Sequence, residues 1–315
     1  MDSSGSQPAA GRRVLLVHYS QTGQLTRILD SIAGPVRSVP GIHVDEISIQ
    51  PKQDFPFPWP VGRFFRVFPE CVYLDAPEIE PITLQPEQPY DLVILAYQVW
   101  FLSPSLPTTA FLQSDWAARH LRDTPVMTVI GCRNMWLNAQ ETVKSLLSNL
   151  GAKLVDNVVL VDAVGTGASF LSTPLWMFTG QKQSLRWVPA AGVAEQDIQA
   201  ASRFGKAIAE RLLQTGGAID EPMLKGMRAV KVEENTIASE RIGYRSFRIW
   251  GRLIRMLGPQ DSPLRIVGLS LYIVFLLTMI CTVVPLNFLV NRLLYPLRKN
   301  KLAEQRRYFA LPSGE

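Results

Sequence analysis

The stretch RRVLLVHYSQTGQLTRILDSI, residues 12–32, decides how the chain begins to fold. Val14 to Tyr19 is a run of apolar, β-branched and aromatic residues with no turn former, which predicts a buried strand. Gly23 permits a tight bend of the backbone. Apolar residues then recur at the spacing of one helical face: Leu25, Ile28, Leu29 and Ile32. The stretch therefore predicts a strand, a short polar loop and a helix.

A loop of this kind is suited to hold a phosphate group. The amides of the loop and of the helix N-terminus point at the anion, and Ser20 and Thr22 add hydroxyl donors. The alternative is an ordinary strand-to-helix turn with a Ser/Thr cap.

Four further segments predict strands, and helical patterns separate several of them. The segments are IHVDEISIQ (42–50), YDLVILAYQVW (90–100), TPVMTVIGCRNMW (124–136) and LVDNVVLVDAV (154–164). The continuous apolar run Leu92–Ala96 is typical of a parallel strand that is covered on both faces. Strands alternating with helices predict an α/β fold with a doubly wound, five-stranded parallel sheet. In such sheets, ligands bind outside the carboxyl ends of the strands.

Three loops follow strand ends that we expect to lie together: Ser20–Leu25, Tyr97–Pro107 and Gly131–Trp136. The second loop is aromatic, and the third has a glycine that permits close approach of a ligand. In these loops the sequence resembles the flavodoxin-like family. YSQTGQLTR (19–27) matches the family's phosphate-loop pattern Ser/Thr-x-Thr-Gly-x, and the resemblance covers about residues 13–213.

The resemblance implies flavin mononucleotide (FMN) as the cofactor. The residues that inherit the phosphate role are Ser20, Gln21, Thr22, Gly23, Gln24 and Leu25. The residues that inherit the ring-contacting role are Tyr97, Gln98, Val99, Trp100, Phe101, Gly131, Arg133, Asn134 and Trp136.

Two longer segments, WFLSPSLPTTAFLQSDWA (100–117) and GCRNMWLNAQE (131–141), resemble a narrower group. This group is the flavodoxin-like proteins associated with bacterial dialkylresorcinol biosynthesis, which are labelled condensing enzymes and to which an aromatase role has also been attributed. The third loop departs from short flavodoxins because Cys-Arg-Asn replaces acidic residues. A cation there would hold an enolate or an acyl oxygen, so Arg133 is the candidate catalytic residue. The alternative for Arg133 is a surface salt bridge.

The composition excludes several other classes of protein. The three cysteines (Cys71, Cys132 and Cys281) are scattered, so we predict neither a metal site nor a disulfide framework, and we expect a reducing compartment. The three histidines have no Ser or Cys partner at an informative position, which disfavours a hydrolase triad. The P-loop and Rossmann fingerprints are absent.

The last 75 residues differ from the rest. Residues 241–315 carry a net charge of +9, whereas residues 1–240 carry −4. A basic protein often binds nucleic acid, but here the positive charge lies on the most apolar part, which favours a membrane surface and no nucleic-acid partner. Arginines repeat on one helical face at Arg241, Arg245, Arg248, Arg252 and Arg255. This pattern predicts an amphipathic helix at the lipid headgroups; a solvated helix covering the domain is the alternative.

An uncharged run of 26 residues follows, Ile266–Asn291. As a helix it would extend about 39 Å, against about 30 Å of hydrocarbon, so it is long enough to cross a membrane. A buried soluble helix is the alternative. Lys and Arg are equally frequent on both flanks, so the positive-inside rule does not orient the segment. We expect the protein at the cytoplasmic face of the inner membrane, with a single-pass segment or a re-entrant one bent at Pro285.

These patterns divide the chain into six parts. They are a disordered N-terminus (1–12), a flavodoxin-like FMN-binding domain (13–213) with insertions at 51–89 and 165–191, a linker (214–240), a basic amphipathic helix (241–258), a membrane segment (264–292) and a basic tail (293–315).

The expected function is an FMN-dependent oxidoreductase that acts on a lipophilic carbonyl or cyclic dione, including the oxidation that aromatises such a ring. The alternatives are an NAD(P)H:quinone reductase, with NAD(P)H as a transient reductant, and a membrane-tethered electron carrier that is not an enzyme. The expected partners are anionic membrane lipid, a lipophilic substrate and a biosynthetic partner enzyme. The aromatic residues of the two insertions would line an apolar entrance near the flavin, or simply cover the sheet.

Overall fold

A computed structural model describes residues 11–162, 164, 166–183, 190–214 and 219–314. The prediction of a disordered N-terminus falls almost wholly outside these residues. Its last residue, Arg12, already belongs to the first strand.

The sheet has the predicted α/β architecture. Its strands are β1 (Arg12–His18), β2 (Ile42–Ser48), β3 (Leu92–Trp100), β4 (Ser103–Pro104), β5 (Pro125–Cys132) and β6 (Lys153–Val161). Five of them are parallel, in the order β2-β1-β3-β5-β6, and the two-residue β4 pairs antiparallel with the end of β3. This order is that of the flavodoxin-like fold. The strands all run parallel, and the direction in which new strands are added to the sheet reverses between β1 and β3.

The helices of the predicted sheet domain are α1 (Gln24–Arg37), α2 (Val61–Arg66), α3 (Phe68–Tyr73), α4 (Leu106–Leu112), α5 (Asp115–His120), α6 (Leu137–Asn149), α7 (Thr166–Thr179), α8 (Glu195–Ala200) and α9 (Ser202–Gln214). Two long helices follow, α10 (Glu234–Arg255) and α11 (Pro263–Ala310). The first insertion thus contains α2 and α3, and the second contains α7.

Alternating strand residues bury opposite faces of the sheet. Leu16 and Ile94 contribute to a core that includes α1 and α9. Leu15 and Val93 contribute to a second core that includes α5 and α6. Because side chains alternate along a strand, a strand covered on both faces is apolar at every position. Helices on both faces make the sheet doubly wound.

The predicted linker 214–240 is ordered in its described part. Its described part packs on the sheet domain, where Leu224 and Val230 are buried. The carboxylate of buried Asp156 in β6 accepts hydrogen bonds from the amides of Met223 (2.7 Å) and Leu224 (3.3 Å). The amphipathic helix therefore begins at Glu234 rather than at residue 241, and it ends at Arg255 rather than at 258.

The predicted membrane segment and basic tail form one helix, α11, instead of separate parts. Within the described residues, one helical segment is long and apolar enough to cross a membrane, Pro263–Val283, and little of it is buried. After α11 the chain returns to the sheet domain, where Ser313 Oγ donates to Asp156 Oδ1 at 2.8 Å.

Candidate functional site

The loop between β1 and α1 has backbone donors aimed at its centre. Gly23 adopts a left-handed conformation (φ 75°) beside open space, which lets the chain turn into α1. The amide of Thr26 donates to Ser20 Oγ and the amide of Gln24 donates to Thr22 Oγ1, each over a long 3.4 Å. The first turn of α1 has no acidic residue. Weakly bonded amides at a helix N-terminus suit an incoming anion.

Three other residues of this loop hold it in place. Gln21 Nε2 donates to the carbonyl oxygens of Phe55 (3.1 Å) and Pro56 (3.0 Å) in the first insertion. Gln24 Nε2 donates to the carbonyl of Val193 at 3.4 Å, and Leu25 is buried in the core. The predicted phosphate role of these three residues is therefore limited to their backbone amides.

The second predicted loop is a tight hairpin. β3 continues through Trp100, and β4 pairs back on it, with Val99 opposite Pro104. The two turn residues, Phe101 (φ 48°) and Leu102 (φ 59°), are both left-handed. Two consecutive left-handed residues form the turn that suits the twist of a two-residue hairpin.

Side chains along β3 therefore alternate, and they do not all face a ligand. Tyr97 is fully buried, and its hydroxyl donates to Gln140 Oε1 at 2.6 Å. Burial raises the pKa of Tyr97 well above its usual value. The Tyr97 side chain lies in the core beneath α6, and the ring-contacting role of this residue stays a prediction.

Gln98 lies on the opposite face of the strand from Tyr97. It is opposite Gly131 of β5, at the carboxyl ends of both strands. Its Oε1 is buried, and it has no hydrogen-bond partner among the described residues. A buried acceptor without a donor costs free energy, so this atom marks a place where a ligand N–H would fit.

Trp100 belongs to an aromatic cluster above the first loop. Its ring meets the ring of Tyr19 edge-on at 6.1 Å, and the rings of Phe55 and Trp59 lie 5.2 and 5.5 Å away. Trp100 is 9% exposed. Burial, with a smaller contribution from Asp54, raises the pKa of Tyr19 to about 12, so the Tyr19 phenol is neutral at physiological pH.

The third loop carries a largely desolvated cation. Burial lowers the pKa of Arg133 to about 10, and the nearby Asp162 opposes this change. Arg133 therefore stays positively charged at neutral pH. The amide of Asp162 donates to the carbonyls of Cys132 (3.0 Å) and Arg133 (3.1 Å), and Asp162 Oδ2 accepts from the amide of Gly192 at 3.0 Å.

Asn134 and Trp136 differ from the expectation that both contact a ring. Trp136 is 2% exposed and packs in the same core as Tyr97, and its ring-contacting role stays a prediction. Asn134 is 7% exposed, at the carboxyl end of the sheet. Gly131 lies against the first loop, since a methyl group on it would meet the Leu25 side chain at 3.2 Å.

Glu240 of α10 supports the same loop from behind. This side chain is fully buried, and its Oε1 accepts from the amide of Asn138 at 2.6 Å and from Asn138 Nδ2 at 3.0 Å. A carboxylate that contacts the first turn of α6 complements the positive end of the α6 dipole. The helix that we assigned to a membrane surface thus contacts a candidate cofactor loop directly.

Sequence reasoning missed Tyr19, Asp162 and Glu240 as site residues. Tyr19 and Asp162 each follow a strand directly, at its carboxyl end, so their position in the pattern was a usable signal. Glu240 gave no signal, because its partner Asn138 lies about a hundred residues away in the sequence.

The two insertions meet above the first loop. The amide of Trp59 donates to the carbonyl of Met177 at 2.8 Å, and the rings of Phe64 and Phe178 pack edge-on at 5.7 Å. Residues 165 and 184–189 of the second insertion lie outside the described residues. Gln21 links this layer to the phosphate-type loop through Phe55.

Phe101 connects this aromatic layer to α11. It packs on Phe64 at 4.6 Å on one side and on Phe68 at 5.1 Å on the other. Phe68 in turn stacks on Tyr272 of α11 at 4.4 Å. Aromatic side chains thus form a continuous contact path from α11 to the carboxyl ends of β1 and β3. No group of His, Cys, Asp and Glu side chains suited to a metal ion occurs in the described parts of the chain.

Comparisons with known proteins agree with the fold. No family model matches the chain, and no curated protein matches its sequence. Among solved structures, a flavoprotein from Lactobacillus acidophilus NCFM in complex with FMN is 16% identical, with a TM-score of 0.38; the match covers 48% of this chain and 93% of that one. A flavodoxin from the domain Archaea is 11% identical, with a TM-score of 0.34 and coverage of 64% and 99%. Flavodoxin 1 from Bacillus cereus is 15% identical, with a TM-score of 0.33 and coverage of 65% and 99%. At these values the fold assignment rests on the strand order of the chain itself.

Proposed function

We propose that this chain binds FMN at the carboxyl ends of β1, β3 and β5 and acts as an oxidoreductase on a lipophilic substrate at the cytoplasmic face of a membrane. The observation that carries the proposal is the position of the loop between β1 and α1, whose amides suit an anion. The loop lies between β1 and β3 in a β2-β1-β3-β5-β6 sheet, at the point where the strand order reverses. Folds of this strand order bind FMN at that point.

The residues present fit such a cofactor at both of its ends. Ser20, Thr22 and the amides that follow Gly23 offer donors to a phosphate, and their present hydrogen bonds are long enough to be exchanged. The orphaned Gln98 Oε1 offers an acceptor to a ring N–H. The Trp100 cluster offers an apolar surface to an aromatic ring.

Arg133 supplies a fixed positive charge beside the site. When bound, FMN supplies one- or two-electron redox chemistry. Oxidising a cyclic dione toward an aromatic ring removes two hydrogens and develops negative charge on a ring oxygen. A desolvated guanidinium stabilises such an oxyanion more strongly than a solvated one, because the local dielectric constant is low.

The aromatic path to α11 supports a lipophilic substrate. A substrate dissolved in a bilayer would meet apolar aromatic side chains beside α11, and these side chains continue to the site. The dialkylresorcinol-type substrate class rests on the resemblance of residues 100–117 and 131–141, and a biosynthetic partner enzyme would supply the substrate.

The proposal is tested by mixing the FMN-loaded full-length protein, without oxygen, with a long-chain cyclic dione or with NAD(P)H, and following flavin absorbance. We expect the dione to bleach the flavin, and we expect Arg133→Ala to slow this step by about tenfold to a thousandfold while flavin content is unchanged. Fast bleaching by NAD(P)H alone would instead indicate a quinone reductase. Bleaching by neither would indicate an electron carrier.

A further inference from the structure

The surface of α10 is divided into three stripes. At about 100° per residue, the five arginines from Arg241 to Arg255 lie on one side. Glu240 and Ile254 are buried on a second side, toward the sheet domain and α11. The third side is apolar yet exposed, at Ile242 (51%), Ile249 (62%), Leu253 (49%) and Met256 (75%). An apolar stripe in water that is flanked by arginines is typical of a helix lying at a lipid interface.

α11 adds a second exposed apolar stripe. Its members are Leu264 (66%), Val267 (57%), Leu271 (60%) and Val274 (64%), spaced three and four residues apart. The opposite side of α11 is occupied, because Leu269 and Tyr272 are buried against α3 and α10. The free stripe therefore has no partner within the described residues.

The two stripes form one surface. α11 runs back along α10, since Trp250 contacts Tyr272 and Phe275, and Ile254 approaches Gly268. On each helix, the free stripe lies next to the residues that contact the other helix and away from those that contact the sheet domain. We call the combined stripes of Ile242, Ile249, Leu253, Met256, Leu264, Val267, Leu271 and Val274 the apolar ledge.

α11 does not continue straight after this contact. Arg306 Nη1 lies 3.4 Å from Glu234 Oε1, at the start of α10. From Gly268 to Arg306, 38 residues of straight helix would span about 57 Å, whereas from Ile254 to Glu234 α10 spans about 30 Å. The bridging side chains are too short to make up this difference. α11 must therefore bow away from α10 and return.

Two prolines in the sequence of α11 favour this bow. Pro285 and Pro296 lie between the two contacts, and each proline removes one backbone hydrogen bond and favours a kink. Beyond the bow, Ala310 is buried in the core of the sheet domain, and the amide of Asn157 donates to Ser313 Oγ at 2.7 Å. Both ends of α11 are thus fixed to the same body.

From this geometry we infer that the chain binds one leaflet of an anionic bilayer and does not cross it. The apolar ledge enters the boundary between headgroups and acyl chains, and Arg241, Arg245 and Arg252 contact anionic headgroups. The other two arginines of the stripe face α3, because Arg255 pairs with Asp75 and Arg248 lies over the Tyr73 ring. The bowed part of α11 enters the bilayer and leaves it on the same side of the membrane. This inference does not depend on the proposed flavin chemistry.

The surface is tested by flotation of the full-length protein with phosphatidylglycerol and phosphatidylcholine vesicles. We expect binding to phosphatidylglycerol vesicles to fall at least tenfold in Ile249→Asp/Leu253→Asp and in Arg245→Glu/Arg252→Glu, with circular dichroism and flavin content unchanged. Leu213→Asp is the matched control, because Leu213 is equally exposed (59%) on α9. Equal loss in this control, or full binding by both double variants, would overturn the inference. Binding to another protein instead of vesicles would also overturn it.

The topology is tested with single cysteines at Ser148→Cys, on the exposed side of α6, and at Asn300→Cys, in a Cys281→Ser background. A membrane-impermeant maleimide is added to spheroplasts and to inverted inner-membrane vesicles of a bacterial host, with the background protein as blank. We expect both positions to react only in inverted vesicles. Reaction of Asn300→Cys only in spheroplasts would show that α11 crosses the membrane and would overturn the inference, whatever the flavin site binds.

Discussion

Gln98 carries a buried side-chain oxygen without a donor, at the carboxyl end of β3. If a flavin ring supplies the missing N–H, Gln98→Leu keeps the shape of the side chain and removes the acceptor. We expect this variant to bind FMN and riboflavin about two- to tenfold more weakly, by the same factor, because one hydrogen bond contributes about 0.5–1.5 kcal/mol. Flavin fluorescence quenching measures both affinities. Unchanged affinity for both flavins would contradict the assignment.

Glu240 predicts a pH dependence of stability. Burial raises the pKa of Glu240 above the usual 4.5, although hydrogen bonds from Asn138 oppose the change. A carboxyl whose pKa is raised in the folded state binds its proton more tightly there, so its contribution to stability is full below the unfolded pKa and is lost as pH rises through the folded pKa. We expect this loss above about pH 4.5 in the natural protein.

Glu240→Gln keeps an oxygen acceptor for Asn138 and removes the titration. Urea unfolding from pH 4 to 8 should show a flatter stability profile for Glu240→Gln than for the natural protein. Glu141→Gln is a suitable control, because Glu141 lies on nearby α6 and its side chain is partly exposed. A profile of the same slope in both variants would contradict the role of Glu240.

Some residues of the candidate site could be predicted from the sequence, and others could not. The phosphate-type loop was found because Ser20, Thr22 and Gly23 are adjacent in sequence. The sequence did not show that the Tyr97 side chain faces the core, because β3 continues to Trp100 and neighbouring side chains within a strand face opposite ways. Choosing the face that meets a ligand requires the packing of α6, which the sequence pattern does not contain.

At the scale of elements, the pairing of α1 with α9 sets the geometry behind the first loop. A methyl group on Gly205 of α9 would lie 1.9 Å from the carbonyl oxygen of Ile32 in α1. We expect Gly205→Ala to separate the helices and to destabilise the protein by about 1–3 kcal/mol, the usual cost of overpacking. Chemical denaturation measures this change.

Gly34→Ala is the matched control on the same helix pair. Gly34 lies in α1, and a methyl group there meets nothing within 4 Å. We expect this variant to gain about 0.5–1 kcal/mol, because alanine loses less backbone entropy than glycine on helix formation. Stabilisation by both substitutions would contradict the close approach of α1 and α9.

The elements were predicted from periodicity, and their limits were set by tertiary contacts. Strand β3 was found as a continuous apolar run, and the edge strand β2 as an alternating pattern. The start of α10 was missed because residues before Arg241, such as Ile237 and Glu240, are held by the sheet domain. The course of α11 depends on the contacts of Arg306 and Ser313, which no local pattern reveals.

At the scale of the whole molecule, the C-terminal extension is part of the folded body. Ile219, Val232 and Ala310 are buried with residues of the sheet domain. Removing everything after Gln214 would expose this core, so surface substitutions are the sounder test of substrate capture.

Capture from the membrane predicts an effect that depends on the substrate. With the long-chain dione in phosphatidylglycerol vesicles, we expect Ile249→Asp/Leu253→Asp to lower kcat/KM at least tenfold, because the enzyme leaves the surface that holds its substrate. With a short-chain soluble analogue, kcat/KM should be unchanged. Initial rates on both substrates, with Leu213→Asp as control, check this. Equal loss on both substrates would show that the ledge affects the site itself.

The central claim is that the loop from Ser20 to Leu25 holds the phosphate of FMN. The most direct measurement is a calorimetric titration of the flavin-free, full-length protein with FMN and with riboflavin, which lacks the phosphate. We expect FMN to bind much more tightly than riboflavin. We expect Thr22→Asp to weaken FMN binding at least a hundredfold, because like charges a few ångströms apart repel by several kcal/mol at the effective dielectric constant of a protein surface. The same variant should bind riboflavin normally. Ser38→Asp, which adds the same charge at the other end of α1, should bind both flavins normally. Equal affinity for FMN and riboflavin, or full FMN binding by Thr22→Asp, would contradict the account.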